Sequence, residues 1–332
     1  MDIELLQERA RIMRNTRRFF DERNYLELDT PLLSPDLIPE TCLEVFATTY
    51  CPPANSVRNT ARELYLIPSP EIWMKKIIAK KKVSVYQICK CFRNCESIGK
   101  THSPEFTMLE YYTMDAGYLD SLSITEALFS ALLSDNNLKQ FQNTTELAEL
   151  SPPFLRLTME DAFRRFAGFS LVEAIENGVL EEHAHTLGIY PPVGTSDTDL
   201  YNLIFIHAVE PNLPRNKPVA LLDYPAIVPC LAELNYSTDK AALTRQRWEL
   251  YLCGLEIANC YSEERDAAQV KKYFLDEGEL KNKNALVKHN IDTDYWKIFD
   301  SFPRCSGVAL GMDRLIMALT GRKTIDAVLC RN

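Results

Sequence analysis

No run of about 18 uninterrupted apolar residues occurs in this 332-residue sequence, so a membrane-spanning helix is not expected. An apolar signal core is missing as well, because Asp2, Glu4, Arg9 and Arg11 keep the first residues charged. The two absences predict a soluble, cytoplasmic protein. There is no basic excess either: 37 Lys and Arg stand against 46 Asp and Glu, a net charge of −9. A chain that grips a long nucleic acid usually carries a basic face, so nucleic acid is disfavoured as the main partner. The one dense basic run, Lys75, Lys76, Lys80, Lys81 and Lys82, reads as the solvated end of a helix. A Walker loop and a Gly-x-Gly-x-x-Gly after a strand are both missing, which sets aside the commonest nucleotide-binding folds.

Cysteine is plentiful, with ten residues, but they are scattered through apolar segments and read as reduced thiols. Cys89, Cys91 and Cys95, with His102 beyond, come nearest to a metal pattern. The first two fall inside a predicted strand and no second close pair completes a zinc site.

A chain of this length buries one large core or two ordinary ones. Leu5, Ile12, Met13, Phe19 and Phe20 recur at helical spacing and predict a helix over 4–23. A short extended piece follows at 25–28, and Pro70 fits the first turn of the next helix. Strands are predicted at 83–92 and 106–112, helices at 119–134, 158–187 and 197–209. Further strands are predicted at 218–223, 231–235, 247–252 and 255–259, then a helix at 264–278, a strand at 306–311 and a helix at 312–320. Strands bracketing a helical stretch, mostly joined as hairpins, predict an α+β fold: an antiparallel sheet flanked by helices. No composition break marks a linker, so a single domain over 1–332 is expected, with a mainly helical insertion at about 119–215.

Three constellations carry chemistry. A two-residue turn at Cys253-Gly254 pairs Leu252 with Leu255 and Tyr251 with Glu256. Alternation then puts Glu249, Tyr251 and Glu256 on one face, and Trp248, Leu250, Leu252, Leu255 and Ile257 on a core face. Two carboxylates at a diagonal repel unless a cation sits between them, and Mg²⁺ with substrate phosphates suits them. An ordinary solvated face suits the pattern equally. On the strand at 106–112, Phe106, Met108, Glu110 and Tyr112 share a face, while Arg93 ends the incoming strand where its planar fork can clamp a phosphate or carboxylate. The third is Ser306-Gly307-Val308-Ala309-Leu310-Gly311-Met312-Asp313-Arg314. Its small residues admit a ligand to the strand, and Arg314 falls in a helix's first turn, against the dipole. A nearby polyphosphate would account for that placement.

Together these segments resemble the class II aminoacyl-tRNA synthetases. Pro31 after a helix and short strand is similar to their motif 1. Phe92-Arg93-Asn94 with Ser103-Pro104-Glu105-Phe106-Thr107-Met108-Leu109-Glu110 is similar to motif 2, and Gly307 to Leu315 to motif 3. Leu255-Glu256-Ile257-Ala258-Asn259 and Ser69-Pro70-Glu71 narrow the resemblance to the lysyl branch. Motif 1 begins within the first residues, so the anticodon-binding domain of lysyl-tRNA synthetase is expected to be missing. Ser306 to Gly311, with Ala309 where the synthetase has glycine, and Val209-Glu210-Pro211-Asn212 resemble the stand-alone ligases that attach β-lysine to translation elongation factor P.

The resemblance implies ATP and Mg²⁺ as cosubstrate and cofactor, a lysine-type amino acid, elongation factor P as acceptor in place of tRNA, and a homodimer. It implies that Arg93 holds the α-phosphate and the substrate carboxylate, Phe106 stacks on adenine and Arg314 binds the terminal phosphate. Glu96 and His102 are implied as further ATP contacts. Glu249 and Glu256 would hold Mg²⁺, with Asn259 close by. Glu71 would take the proximal amine, and Glu110, Tyr112 and Glu263 the distal ammonium, with Ala309 shaping the pocket. Strict alternation puts Asn259 on the core face, so a twist or bulge is required there. Cys95 and Cys260 stand where the family usually has glutamate and glycine, and Ser103 where it has asparagine. A ligase for another amino acid or a small-molecule acceptor remains open, as does a dead regulatory module. Such a module is expected to lose Arg93, Arg314, Glu249 and Glu256, and all four are present.

Overall fold

The computed structural model describes residues 3–53, 60–95, 99–135, 150–236 and 242–329. In chain order it contains α1 (Ile3–Asp21), β1 (Leu26–Glu27), β2 (Leu33–Ser34), β3 (Phe46–Tyr50), β4 (Arg62–Leu66), α2 (Glu71–Lys81), β5 (Val85–Phe92) and β6 (Glu105–Met114). Then follow α3 (Tyr118–Leu133), β7 (Leu155–Thr158), α4 (Met159–Phe166), α5 (Leu171–Glu176), α6 (Leu180–Thr186), α7 (Asp197–Ile204) and β8 (Val219–Pro225). The chain closes with β9 (Leu234–Tyr236), β10 (Ala242–Leu252), β11 (Leu255–Ser262), α8 (Ala267–Asn284), β12 (Cys305–Gly311) and α9 (Met312–Leu319). These elements divide into two compact units, 1–116 with 264–332, and 117–263. In both, mainly antiparallel strands are flanked by helices, the expected α+β class.

In the first unit, β5 pairs antiparallel with β6, and β6 antiparallel with β12. One face of these strands is apolar because α1 lies on it: the Phe20 ring stacks on Tyr86 and meets Tyr111, each at 4.9 Å. Ile12, Phe19 and Phe20 are buried on that helix, the stripe that its sequence period foretold. The register then dictates the opposite face. Gln87, Glu110 and Ala309 line up across β5, β6 and β12; Cys89, Met108 and Gly311 form the next row. Val85, Tyr112 and Gly307 make a third row, and Cys91 opposes Phe106.

The N-terminal helix is fastened to the end of the chain. Arg9 donates to Asp313 at 2.6 Å, to the Thr107 hydroxyl at 2.9 Å and to the Val328 carbonyl at 3.3 Å. Asp313, in the first turn of α9, also accepts the Thr107 N–H at 2.6 Å. A carboxylate there complements the helix dipole as well as the arginine. The unit also holds a small sheet in the order β2-β4-β3, which the sequence did not announce.

In the second unit β8 pairs antiparallel with β10, and β10 antiparallel with β9 and β11. β7 runs parallel to β8, as a pair joined through several helices can but a hairpin cannot. The helix expected at 158–187 is three helices, α4, α5 and α6. Ser170 interrupts it by capping α5 with its hydroxyl on the Glu173 N–H, and Gly178 turns the chain with φ +65°. Residues of α4 to α7 share a core with Val219, Leu221 and Tyr251.

The β10–β11 hairpin has the expected turn, with Cys253 and Gly254 at φ 53° and 77°. Leu252 pairs with Leu255 and Tyr251 with Glu256. The register then shifts, Leu250 opposing Ala258, so Ile257 is an extra residue in a bulge. The bulge brings Asn259 directly opposite Glu249. This is the irregularity that Asn259 required.

Candidate active site

The first unit gathers one set of polar side chains on the face away from α1. Glu110 is 2% exposed. One of its oxygens accepts the Tyr112 O–H at 2.7 Å, while Oε2 is buried with no partner among the described residues. Burial, then the charge of Glu71, pushes the Glu110 carboxyl well above the usual carboxylate range. Lys75 opposes this shift but is already bonded to Glu71, and a buried carboxyl short of counter-charge favours a cationic ligand. Ala309 stands directly across from Glu110 and is partly exposed, whereas its neighbours Val308 and Leu310 are buried. It is therefore a wall of this face and not part of the core.

Glu71 opens α2, where the dipole suits a carboxylate. Lys75 lies one turn on, fully buried, at 2.6 Å from Glu71. The expected solvated basic run is thus corrected: Lys75 is a buried counter-ion, Lys76 bonds Asp292 at 2.8 Å, and only Lys80, Lys81 and Lys82 are exposed. The i, i+4 spacing from Glu71 was the available signal. A third carboxylate joins these. The Asn94 N–H bonds the Glu44 carbonyl at 2.8 Å, and Lys281 reaches the Glu40 carbonyl at 2.9 Å, which hold residues 40–45 beside the end of β5. Burial, then the charge of Glu71, lifts the Glu40 carboxyl to about 7, and Arg93 opposes that shift. Sequence reasoning passed over Glu40 because it lies outside any motif.

Arg93 follows the last residue of β5, its guanidinium carbon 5.2 Å from the centroid of Phe106. Its Nε is buried without a hydrogen-bond partner among the described residues. Arg314, in the first turn of α9, donates to the Thr101 carbonyl at 3.2 Å. His102 meets the Thr101 hydroxyl at 3.1 Å. Cys95 has φ 57°, and its N–H bonds the Asn94 side chain at 2.9 Å. Glu96 lies outside the described residues.

The second unit holds the other set. Glu249 is 8% exposed and Tyr251 2%, so the solvated-face alternative for this hairpin is corrected. Arg247 donates to one oxygen of Glu249 at 2.5 Å and the Tyr251 O–H to the other at 2.9 Å. Burial, then the charges of Glu249 and Glu256, pushes the Tyr251 phenol upward, which places both carboxylates around that ring. Arg247 is also held over the Tyr224 ring at 4.3 Å. Two residues before Glu249, on the same strand face, it was legible from the period of two and was missed. Asn259 donates to Tyr261 at 3.1 Å, and its Oδ1 is buried without a partner among the described residues. Glu263 is 2% exposed, in a strand bridge with Ala232.

Among the described residues no group of three or more His, Cys, Asp or Glu forms a metal cage. Mg²⁺ held by one or two carboxylates plus phosphates needs none. Among the described residues each Glu249 oxygen has one hydrogen-bond partner and a second lone pair, so Glu249 fits a hard, oxygen-seeking cation, and the register puts Glu256 opposite Tyr251 on the same hairpin. No described helix is long and apolar enough to cross a membrane.

Comparison with known proteins gives a consistent answer. The family model described as tRNA synthetases class II (D, K and N) matches residues 3–330, which takes in both units. The elongation factor P–(R)-β-lysine ligase of Histophilus somni (strain 2336) is 32% identical over 99% of this chain and 95% of that protein. The enzyme of the same name from Avibacterium paragallinarum is 33% identical over 98% of this chain and 94% of its own length. The lysine–tRNA ligase of Syntrophomonas wolfei is 33% identical over 98% of this chain, which spans only 64% of that protein.

Proposed function

The chain belongs to the class II tRNA synthetase family, and on that premise we propose that it is an ATP-dependent ligase that attaches a lysine-type amino acid, (R)-β-lysine, to a lysine of translation elongation factor P. The observation that carries the amino acid is Glu110, a buried carboxyl with one oxygen unpartnered among the described residues and a phenol on the other. A cationic amino-acid side chain supplies the missing charge. Near coverage of the two ligase relatives, at 95% and 94% of their length, supports a protein acceptor over tRNA. The net charge of −9 agrees, since binding a polyphosphate backbone is driven by lysines and arginines.

The reaction has two steps. The substrate carboxylate attacks the α-phosphorus of ATP, a P–O bond forms and pyrophosphate leaves. The acceptor amine then attacks the carbonyl of the mixed anhydride, an amide forms and AMP leaves with the bonding pair. Arg93 clamps the α-phosphate and the substrate carboxylate, Phe106 stacks on adenine, and Arg314 takes the terminal phosphate, with Glu96 and His102 beside the nucleotide. Glu71 and Asn259 orient the proximal end of the amino acid, while Glu110, Tyr112 and Glu263 receive the distal ammonium. Mg²⁺, held by Glu249 and Glu256, would neutralise phosphate charge. Positioning and charge neutralisation are most of what phosphoryl chemistry asks of a protein. The enzyme works in the cytoplasm as a homodimer.

ATP–pyrophosphate exchange with α-lysine, β-lysine and arginine tests activation, and the intact mass of elongation factor P tests transfer. Exchange with β-lysine and a single adduct support the assignment; exchange with a non-basic amino acid alone would overturn it. The methyl of Ala309 across from Glu110 is the feature that favours β-lysine, whose amine sits one carbon further from the carboxylate. Crowding by a methyl costs about 1–3 kcal/mol, so Ala309→Gly raises α-lysine exchange roughly five- to hundredfold and changes β-lysine exchange less. Equal shifts for both substrates would discard the role of Ala309.

A further inference from the structure

Cys89 and Cys91 have no part in the chemistry above, yet they lie in its floor. They are two residues apart on β5, on the face opposite α1, across from Met108 and Phe106. Their sulfurs are 3.9 Å apart, within thiol hydrogen-bond range. Cys89 is partly exposed and Cys91 buried.

The geometry points to Cys89 and Cys91 as a dithiol oxidation site that hydroperoxides convert to an intrastrand disulfide. The exposed member meets the oxidant and the buried member resolves it. Two residues along a strand span about 6.6 Å, at the upper end of the roughly 4.4–6.8 Å that a disulfide bridges. The bond closes only as the strand contracts locally, because Cβ atoms two apart on one strand face stand about 6.6 Å from each other against roughly 3.5–4.5 Å in a disulfide. The product is strained, and strained disulfides are the readily reduced ones. The environment divides the roles in the same way. The hydrogen bond from Cys91 lowers the Cys89 thiol, favouring its nucleophilic thiolate. Burial, then the bond to Cys89, raises Cys91 well above the usual thiol range, with the charge of Glu110 adding to the shift.

The Cys89 thiolate attacks one oxygen of the peroxide; an S–O bond forms, the O–O bond breaks and hydroxide leaves to become water. The Cys91 sulfur then attacks the Cys89 sulfenic acid, an S–S bond forms, and a second water departs with the Cys91 proton. Two electrons pass from the sulfurs to the peroxide. Drawing the sulfurs from 3.9 Å to about 2.05 Å tightens the strand just before Arg93. A displacement of about 1 Å at a clamp costs on the order of a hundredfold. Loss of amino-acid activation on oxidation rests on the ligase assignment; disulfide formation does not.

The test treats the full-length protein with hydrogen peroxide, alkylates free thiols and maps the peptides by mass. The expected result is a Cys89–Cys91 peptide two hydrogens lighter, restored by dithiothreitol. Phenylarsine oxide, which bridges paired thiols with loss of water, added first protects the pair. In Cys91→Ser a dimedone adduct accumulates on Cys89 and no lighter peptide forms. Recovery of both residues as alkylated thiols, while exposed Cys42, Cys51 and Cys95 oxidise, would overturn the site, whatever the activity. If the disulfide forms and pyrophosphate exchange falls less than about twofold, against the fall of on the order of a hundredfold expected, the coupling to Arg93 is wrong.

Discussion

Replacing Glu110 with glutamine separates binding from stability, because the structure gives the two effects opposite signs. Glutamine keeps an oxygen to accept the Tyr112 O–H, now at 2.7 Å, and removes the ionisable group. The Glu110 carboxyl is raised from its ordinary 4.5 by burial and then by Glu71. The folded protein therefore holds a proton that the unfolded chain has released. Stability from this group is fully present below the unfolded value of 4.5 and is lost as pH rises toward the folded value. Glu110→Gln removes that loss, so its melting temperature at pH 8 equals or exceeds that of the parent, and the decline from pH 5 to pH 8 is shallower. The substrate sees the reverse. A charge-assisted hydrogen bond to a buried ammonium contributes about 2–3 kcal/mol, roughly 30- to 150-fold in kcat/KM. Differential scanning fluorimetry at the two pH values and ATP–pyrophosphate exchange read both arms. A variant that melts several degrees lower at pH 8 while exchanging lysine normally would make Glu110 a structural carboxylate with no part in binding.

Glu249→Ala and Glu256→Ala are each expected to cut exchange about a hundredfold. Only the former also costs about 2–3 kcal/mol of stability, because it leaves the largely buried Arg247 without its carboxylate; urea melts distinguish them, and full exchange in both variants would remove the metal assignment. Asp313→Asn should cost about 1–3 kcal/mol, because Arg9 loses its counter-charge and asparagine has one acceptor oxygen for both Arg9 and the Thr107 N–H, seen as a lower urea midpoint; an unchanged midpoint would make that pair incidental. Glu40, lifted to about 7, ionises across neutral pH, so KM for the amino acid should fall as pH rises through that value. Glu40→Gln flattens the profile, and an unaltered KM profile in that variant would place Glu40 outside the pocket.

Much of this arrangement was legible where local periodicity decides it. The turn at Cys253-Gly254, with both residues at positive φ, sets the hairpin register on its own. From that register the shared face of Glu249, Tyr251 and Glu256 follows, as the face of Glu110 and Tyr112 follows from alternation. The bulge at Ile257 has no local signature, and only the demand that Asn259 face Glu249 exposed it. The small sheet of β2, β3 and β4 escaped notice because its strands are short and mostly exposed, without an alternating stripe. The break at Ser170 and Gly178 was written in capping residues but overridden by the helical period around it. Pairs such as Arg9 with Asp313, 304 residues apart, depend on tertiary closure and leave no mark on either segment.

Transfer of an activated lysine to a protein is read directly by the intact mass of purified elongation factor P after incubation with this protein, ATP and (R)-β-lysine. The expected result is a single ATP-dependent gain of one β-lysyl residue on a lysine side chain, with a smaller yield when α-lysine is supplied. An unmodified elongation factor P alongside vigorous pyrophosphate exchange, or efficient charging of lysine tRNA in its place, would contradict it.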